Sequence, residues 1–244
     1  MNRVLIVGAT SAIAEAAARC FARAGDALFL AGRSLSRLDA VADDLRIRGA
    51  SRVGVGAFDA LDADSRDLVS SAADALGGID IALIAHGTLP DPQAAGTDPE
   101  LVRRTLEINT VSTLCLMTRL ADYFEREGSG TLAVISSVAG DRGRASNYLY
   151  GAAKAAVSHF AEGLQCRFAG TGVRVVTIKP GFVDTPMTAG FAKGVLWASP
   201  DQVAGKIHRA ILAGKSVVYV PWFWRWIMLV IRLLPDWLFR RLPL

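Results

Sequence analysis

The chain has 244 residues, enough for one large domain or two small ones around a substantial core. Hydrophobic residues make up 52%, which excludes a disordered chain, and the formal net charge is +4. Residues 221–244 hold Arg225, Arg232, Arg240 and Arg241 against Asp236, so most of the excess is terminal and the near-neutral remainder argues against nucleic acid as a partner. Cys20, Cys115 and Cys166 form an odd set without metal spacing. They are expected to be reduced core thiols, which fits a cytoplasmic protein with no metal site. The N-terminus opens directly on a strand-like run, so no leader is expected.

In chain order, "RVLIV" (3–7) is a short apolar run closed by a glycine, as buried parallel strands are. A helix is expected over 11–24, a strand over 26–32 and a helix over 34–48. A strand follows over 52–58, a helix over 64–76, a strand over 79–85 and a long helix over 99–127. The pattern continues with a strand over 130–136, a helix over 147–169, a strand over 173–179, a helix over 200–213 and a strand over 216–220. This alternation implies a doubly wound α/β fold, seven parallel strands covered by helices on both faces. No linker interrupts it, so residues 1–220 form one domain. Open sheets of this kind bind ligands beyond the carboxyl ends of their strands.

Gly8 closes the first strand, and a helix starts within a few residues, a geometry that suits a pyrophosphate. The glycine-rich fingerprint has three glycines; Ala12 and Ala14 stand at the other two places. A tight turn without a ligand explains this stretch equally well. Arg33 follows the second strand where a carboxylate would bond a ribose 2′-hydroxyl; a guanidinium suits a 2′-phosphate instead, or is a solvated surface charge. Asp59, after the third strand, either bonds an adenine amino group or caps its turn.

Tyr150 and Lys154 are four residues apart and share one helix face. A phenol with an ordinary pKa of about 10 exchanges protons poorly at neutral pH, and a neighbouring ammonium lowers that value. The tyrosine can then act as general acid or base. Ser137 ends the fifth strand and can donate a hydrogen bond to a substrate oxygen.

With Asn109 in "EINTVS", Ser137 in "VISSVAG", "YGAAK" at 150–154 and "KPGFVDTPM" at 179–187, the chain resembles short-chain dehydrogenases/reductases of the classical single-domain type over residues 1–220. The resemblance implies a Rossmann-type sheet and a catalytic set of Asn109, Ser137, Tyr150 and Lys154. Tyr150 passes a proton to or from the substrate oxygen. Lys154 lowers its pKa and bonds the nicotinamide ribose. Ser137 orients the oxygen, and Asn109 holds a water linking Lys154 to solvent. By position, Gly8, Thr10, Ser11, Ile13, Arg33, Asp59, Ala85, His86 and Gly87 hold the dinucleotide with Tyr150 and Lys154. Pro180, Gly181 and Val183 border the nicotinamide, and Thr185 bonds its carboxamide. With Arg33 and no acid after strand two, NADP(H) is favoured over NAD(H). The chain departs from the family in its first turn, in "IAHG" (84–87) where "NNAG" is usual, and in its ending. His86 is expected to be a structural turn residue. A homo-oligomer is expected, as is a small-molecule or lipid-linked carbonyl or alcohol substrate. A nucleotide-sensing protein without turnover is the alternative.

The ending, "PWFWRWIMLVIRLLPDWLFRRLPL" (221–244), contains four of the five tryptophans. Its apolar run is too short and too charged to span a bilayer. Pro235 divides it into two helices, the second opened by the proline. Tryptophan and arginine beside a broad apolar face are typical of interfacial helices. A membrane surface is favoured as partner, which would hold the protein peripherally at a cytoplasmic face. A second copy ranks next, and the protein's own core ranks last. The apolar stretch 191–200, with Phe191, Val195, Leu196 and Trp197, is where the family carries its substrate lid. Arg142 and Arg144 are expected to be solvated loop charges. More loosely, the first turn and basic tail resemble bacterial reductases of polyprenyl-phosphate-linked keto-sugars.

Overall fold

The computed structural model describes residues 1–62 and 65–241. The first half winds β1 (Arg3–Val7), α1 (Ala12–Arg23), β2 (Ala27–Gly32), α2 (Leu35–Ile47), β3 (Arg52–Ala57), α3 (Ser65–Leu76) and β4 (Ile81–Ile84). Two helices, α4 (Pro92–Ala95) and α5 (Pro99–Leu106), precede a π-helical turn at Glu107–Val111 and α6 (Ser112–Arg126). Then come β5 (Ser129–Ile135), α7 (Tyr148–Arg167), β6 (Gly172–Pro180), α8 (Pro200–Leu212) and β7 (Val217–Val220). The chain finishes with α9 (Trp224–Leu233) and α10 (Asp236–Phe239). The seven strands form one sheet in the order β3-β2-β1-β4-β5-β6-β7, and every pairing is parallel.

Each strand alternates its side chains between two cores. Val4 and Ile6 of β1 pack with α1, α2 and α8, while Leu5 and Val7 pack with α3, α6 and α7. Both sheet faces are thus covered, which is why the strands read as continuous apolar runs. The strand order reverses between β1 and β4, and that crevice is where a ligand is expected.

Three sequence expectations change. The helix foreseen over 99–127 is divided by the π turn, which holds Asn109 fully buried. The three cysteines are unbridged, but Cys115 and Cys166 are exposed and only Cys20 is part-buried, because they fall outside the sheet-facing stripes of their helices. Pro235 precedes α10 as its cap rather than opening it, because its backbone is extended there, with ψ at 146°. The expected helix start at 64 and the last tail residues, 242–244, lie outside the described residues.

The tail also packs inward, the partner ranked last from sequence. Trp224 and Met228 are buried with Val138, and Tyr219, Phe223, Ile227 and Ile231 pack around them. Arg142 is no solvated loop charge. It donates to the carbonyl oxygens of Ile231 and Leu234, pairs with Asp236 at 2.8 Å, and lies 3.9 Å over the Phe239 ring. Carbonyls at a helix C-terminus need such donors, and a cation there also suits the helix dipole.

Beside Arg142, Asp141 accepts from Lys179 Nζ at 2.6 Å and from the Tyr219 hydroxyl at 2.8 Å. The two charged side chains are 2% and 7% exposed, so their pairing is sealed from water. This bond joins the loop after β5 to the end of β6 and to β7. Removing one partner of a buried pair leaves the other charge stranded. Asp141→Asn is therefore expected to lower stability by about 3–5 kcal/mol in urea unfolding, and Asp141→Leu with Lys179→Met by clearly less.

Candidate active site

Gly8 turns the chain from β1 toward α1 with φ at +78°, and a Cβ there would lie 2.5 Å from the His86 backbone nitrogen. Both the turn and this close approach demand glycine. Ser11 caps α1 by position, but its side chain makes no capping bond. The first-turn N–H groups of α1 thus have no side-chain cap, with Thr10 and Ser11 part-exposed beside them. Ile13 packs its side chain on the core. Ala14 is fully buried among core residues, so the methyl at that eroded glycine site is taken up by packing between helix and sheet. Ala12 remains part-exposed at the helix start.

Arg33 and Asp59, at the ends of β2 and β3, line one depression of about 370 Å³ with Phe58, Asp62 and Asp67. Asp59 Oδ1 accepts from the Leu61 N–H at 3.0 Å, so it braces its own turn, one of the two roles foreseen for it.

After β4, the Ala85 N–H donates to the Val7 carbonyl at 2.8 Å. His86 Nε2 bonds Ser112 Oγ at 2.9 Å and Thr113 Oγ1 at 3.2 Å. The Ser112 hydroxyl already donates to Ile108 O, so it accepts from the His86 ring. Nδ1 has no hydrogen-bond partner among the described residues. Burial, helped by the Lys154 charge, pushes His86 from 6.5 down to about 3, so the ring is neutral. At Gly87 a Cβ would lie 2.9 Å from Asn109 Oδ1 and 3.6 Å from Lys154 Nζ. Asn109 Oδ1 accepts from the Thr88 N–H at 2.7 Å, and its Nδ2 donates to Thr88 O at 2.8 Å. The π turn thus aims Asn109 at the loop after β4, within reach of Lys154.

Ser136 fastens β5 to α7. Its hydroxyl donates to Lys154 O at 2.9 Å and meets Ser158 Oγ at 2.7 Å. Ser137 begins a tight turn, where its Oγ accepts from the Ala139 N–H at 3.1 Å. The turn lies against α7 because Gly140 and Gly151 leave room: a Cβ would come within 2.7 Å of the Ala155 nitrogen at one and 2.8 Å of Ala139 O at the other. The Ser137 hydroxyl beside Tyr150 favours the phenolate. Burial outweighs it and pushes Tyr150 up to about 12. Lys154 is buried and drawn down to about 8; its Nζ donates to Ile135 O at 3.0 Å and stands 5.8 Å from the Tyr150 ring centroid. The expected lowering of the phenol by the ammonium is therefore not found; desolvation dominates.

Pro180 ends β6 and is buried, as is Val183 beyond it, and Gly181 is pressed against the tail: a Cβ there would overlap the Trp224 indole. Thr185 turns its hydroxyl toward Thr188 Oγ1 at 3.3 Å. Phe182 stacks on Trp197 at 5.3 Å and meets Trp224 edge-on at 5.1 Å. Phe191, Val195 and Leu196 remain exposed.

The structure therefore brings Asn109, Ser137, Tyr150 and Lys154 together beyond β4 and β5. It places Gly8, Thr10 and Ser11 at the crevice, with Arg33 and Asp59 farther along. Sequence reasoning missed the Asp141–Lys179 pair, the Ser136 tie and the pressing of Trp224 on Gly181. A lysine within a run of strand residues was the one available signal for the pair.

His86 sets a pH dependence. The unfolded chain takes up a proton near 6.5, but the folded chain only near 3. Stability from this group is complete above pH 6.5 and falls as pH drops toward 3. Between pH 7 and pH 5 the loss is about 2 kcal/mol. Urea unfolding of His86→Gln should show about 2 kcal/mol less acid destabilisation over that interval than the parent chain; equal slopes would mean that His86 is not held neutral.

Residues 2–195 match the short chain dehydrogenase family. The chain is 40% identical over 241 residues to an uncharacterized oxidoreductase of Mycobacterium tuberculosis, covering 98% of this chain and 96% of the relative. An uncharacterized oxidoreductase of Streptomyces coelicolor is 36% identical over 98% of this chain and 95% of its own. In fold, the chain is similar to a variant of actinorhodin polyketide ketoreductase with NADPH, at TM-score 0.81 and 22% identity over 91% of this chain and 97% of that one. An alcohol dehydrogenase from Thermococcus sibiricus complexed with 5-hydroxy-NADP gives 0.76 and 23% over 89% and 95%. Family match, relatives and assembled tyrosine–lysine–serine–asparagine cluster agree: this chain belongs to the short-chain dehydrogenase/reductase family of oxidoreductases.

Proposed function

We propose that the protein is an NADP(H)-dependent reductase of an apolar or lipid-linked carbonyl, or the dehydrogenase of the matching secondary alcohol, working at a membrane surface. The observation that carries the reading is the meeting of Asn109, Ser137, Tyr150 and Lys154 beyond β4 and β5. The same cluster, with relatives described as oxidoreductases, leaves a turnover-free nucleotide sensor without support. The looser likeness to polyprenyl-phosphate keto-sugar reductases finds no echo among the relatives, and the proposal does not extend to it.

The crevice fits a dinucleotide. The α1 N-terminus has no side-chain cap, Gly8 holds the turn open, and His86 Nδ1 is a buried acceptor awaiting a donor. When bound, NADP(H) supplies or accepts the hydride. Arg33 favours the 2′-phosphate by paired hydrogen bonds, and two proteins of the same fold were solved with NADPH and 5-hydroxy-NADP. Ser137 and Tyr150 hold the substrate oxygen between two hydroxyls. With its proton held up to about 12, Tyr150 is a donor at neutral pH. An alkoxide is a far stronger base than a phenolate, so proton delivery at the end of reduction runs downhill. Lys154 carries the charge that steadies the resulting phenolate, and Asn109 supports the loop beside it. The aromatic row Trp197–Phe182–Trp224 gives the substrate side an apolar wall.

Tyr150→Phe is expected to cut turnover by about 100- to 10,000-fold while NADPH still quenches protein fluorescence. For reduction by the parent chain, kcat/KM should hold level up to about pH 8 and fall above it as free-enzyme Lys154 loses its proton. Arg33→Asp should raise the KM for NADPH about 10- to 100-fold and leave or improve that for NADH. Failure of either nucleotide to bind the parent chain at millimolar concentration would sink the enzyme reading.

A further inference from the structure

Only one face of the tail is used by the fold. Opposite the buried Trp224 and Met228, Trp222, Trp226, Leu229, Val230, Leu233 and Trp237 stay exposed. Trp226, Leu229, Val230 and Leu233 recur at three- and four-residue intervals along α9, which gathers them in one stripe, and Trp222 and Trp237 are exposed just beyond its two ends. Leu233 is 74% exposed and Trp226 58%. A contiguous apolar stripe on an otherwise well-packed molecule marks a docking surface.

Charge decides what docks there. Arg225, Arg232, Arg240 and Arg241 border the stripe, all exposed, and no described ion pair engages them. The tail's single acid, Asp236, is held by Arg142. A second copy related by a two-fold axis would set this cationic face against itself, and like charges oppose such a contact. Anionic lipid headgroups neutralise it, while tryptophans settle at the boundary between headgroups and chains. No described helix is long and apolar enough to cross a membrane, so the helix lies in the interface plane.

The lid meets the helix on its inner side, at the buried Trp224. Trp197 reaches Trp224 through Phe182, at 5.3 and 5.1 Å between successive rings.

We propose that the exposed stripe of α9 and α10, with its bordering arginines, is a docking face for an anionic lipid bilayer. This deepens the reading of the site as one that takes an apolar substrate, and rests on it for its purpose but not for its test. Full-length protein is floated with phosphatidylcholine vesicles with and without phosphatidylglycerol. The parent chain should rise with the phosphatidylglycerol vesicles and stay below with phosphatidylcholine alone. Trp226→Glu with Leu233→Glu, both at exposed positions, should remain with the soluble fraction yet reduce a water-soluble ketone with NADPH at the parent rate. Arg225→Gln with Arg232→Gln should weaken vesicle binding by about fivefold per arginine.

Parent protein that stays soluble with phosphatidylglycerol vesicles overturns the proposal. So does a dimer that the Trp226/Leu233 variant converts to monomer without any change in flotation, which would make the stripe an interface between copies. A parent chain that floats but reduces no ketone refutes the reductase reading and leaves the docking face standing.

Discussion

One sealed ion pair governs the geometry of the reactive end. Asp141 follows directly on the turn that carries Ser137, and Lys179 directly precedes Pro180 and Gly181, which border the nicotinamide position by family resemblance. Their 2.6 Å bond fixes the distance between these two loops, and the Tyr219 hydroxyl adds β7 to the same carboxylate. Burying two charges is costly, and hydrophobic side chains of similar size often hold a fold as well. An apolar contact, however, tolerates sliding, whereas a carboxylate taking one ammonium and one hydroxyl admits a single arrangement. Asp141 also pushes the Tyr219 phenol upward in pKa, after burial itself, so that hydroxyl remains a donor. Arg142, the next residue, grips the tail, so that two consecutive side chains connect β5, β6, β7 and α9.

Close backbone contact does the rest. Gly8 against His86, Gly140 and Gly151 between the serine turn and α7, and Gly181 under Trp224 are places where a methyl has no room. The fingerprint glycines that this chain lacks belong to a different class. Ala14 stands where helix meets sheet, and there a methyl is absorbed by the core. The glycine that both φ and contact require is the one retained. The departure that looked from sequence like erosion of a phosphate cradle is thus confined to Ala12.

The sheet was legible in the sequence because strands buried on both faces are apolar throughout, and the seven runs matched the observed strands to within about two residues. The cluster of Asn109, Ser137, Tyr150 and Lys154 was legible only through the combined order of these residues along the chain, since Tyr-x-x-x-Lys alone is commonplace. What stayed hidden depends on tertiary contacts. A π turn leaves no mark on apolar periodicity, so Glu107–Val111 read as continuous helix. Lys179 among the strand residues of β6 hints at a buried charge, but its acid partner lies 38 residues away and cannot be picked out from sequence. The direction of the Tyr150 shift was misjudged for the same reason: the ammonium is visible in sequence, but the desolvation that overrides it is not.

The tail shows how one helix can answer to two environments. Ten residues of α9 would scarcely hold a helix alone in water, since nucleation is costly and the segment short. Its conformation comes from Trp224 and Met228 seated against Val138, and from the Arg142 guanidinium on its last carbonyls. Val138 adjoins Ser137, and Trp224 presses on Gly181, so the inner face of the helix is in contact with both loops of the reactive end. The outer stripe exists only while that inner face is docked, because an unseated segment would scatter its tryptophans and arginines. The greasy surface is therefore a consequence of the folded site, and whatever covers it bears on a helix already packed against the loops that carry the chemistry.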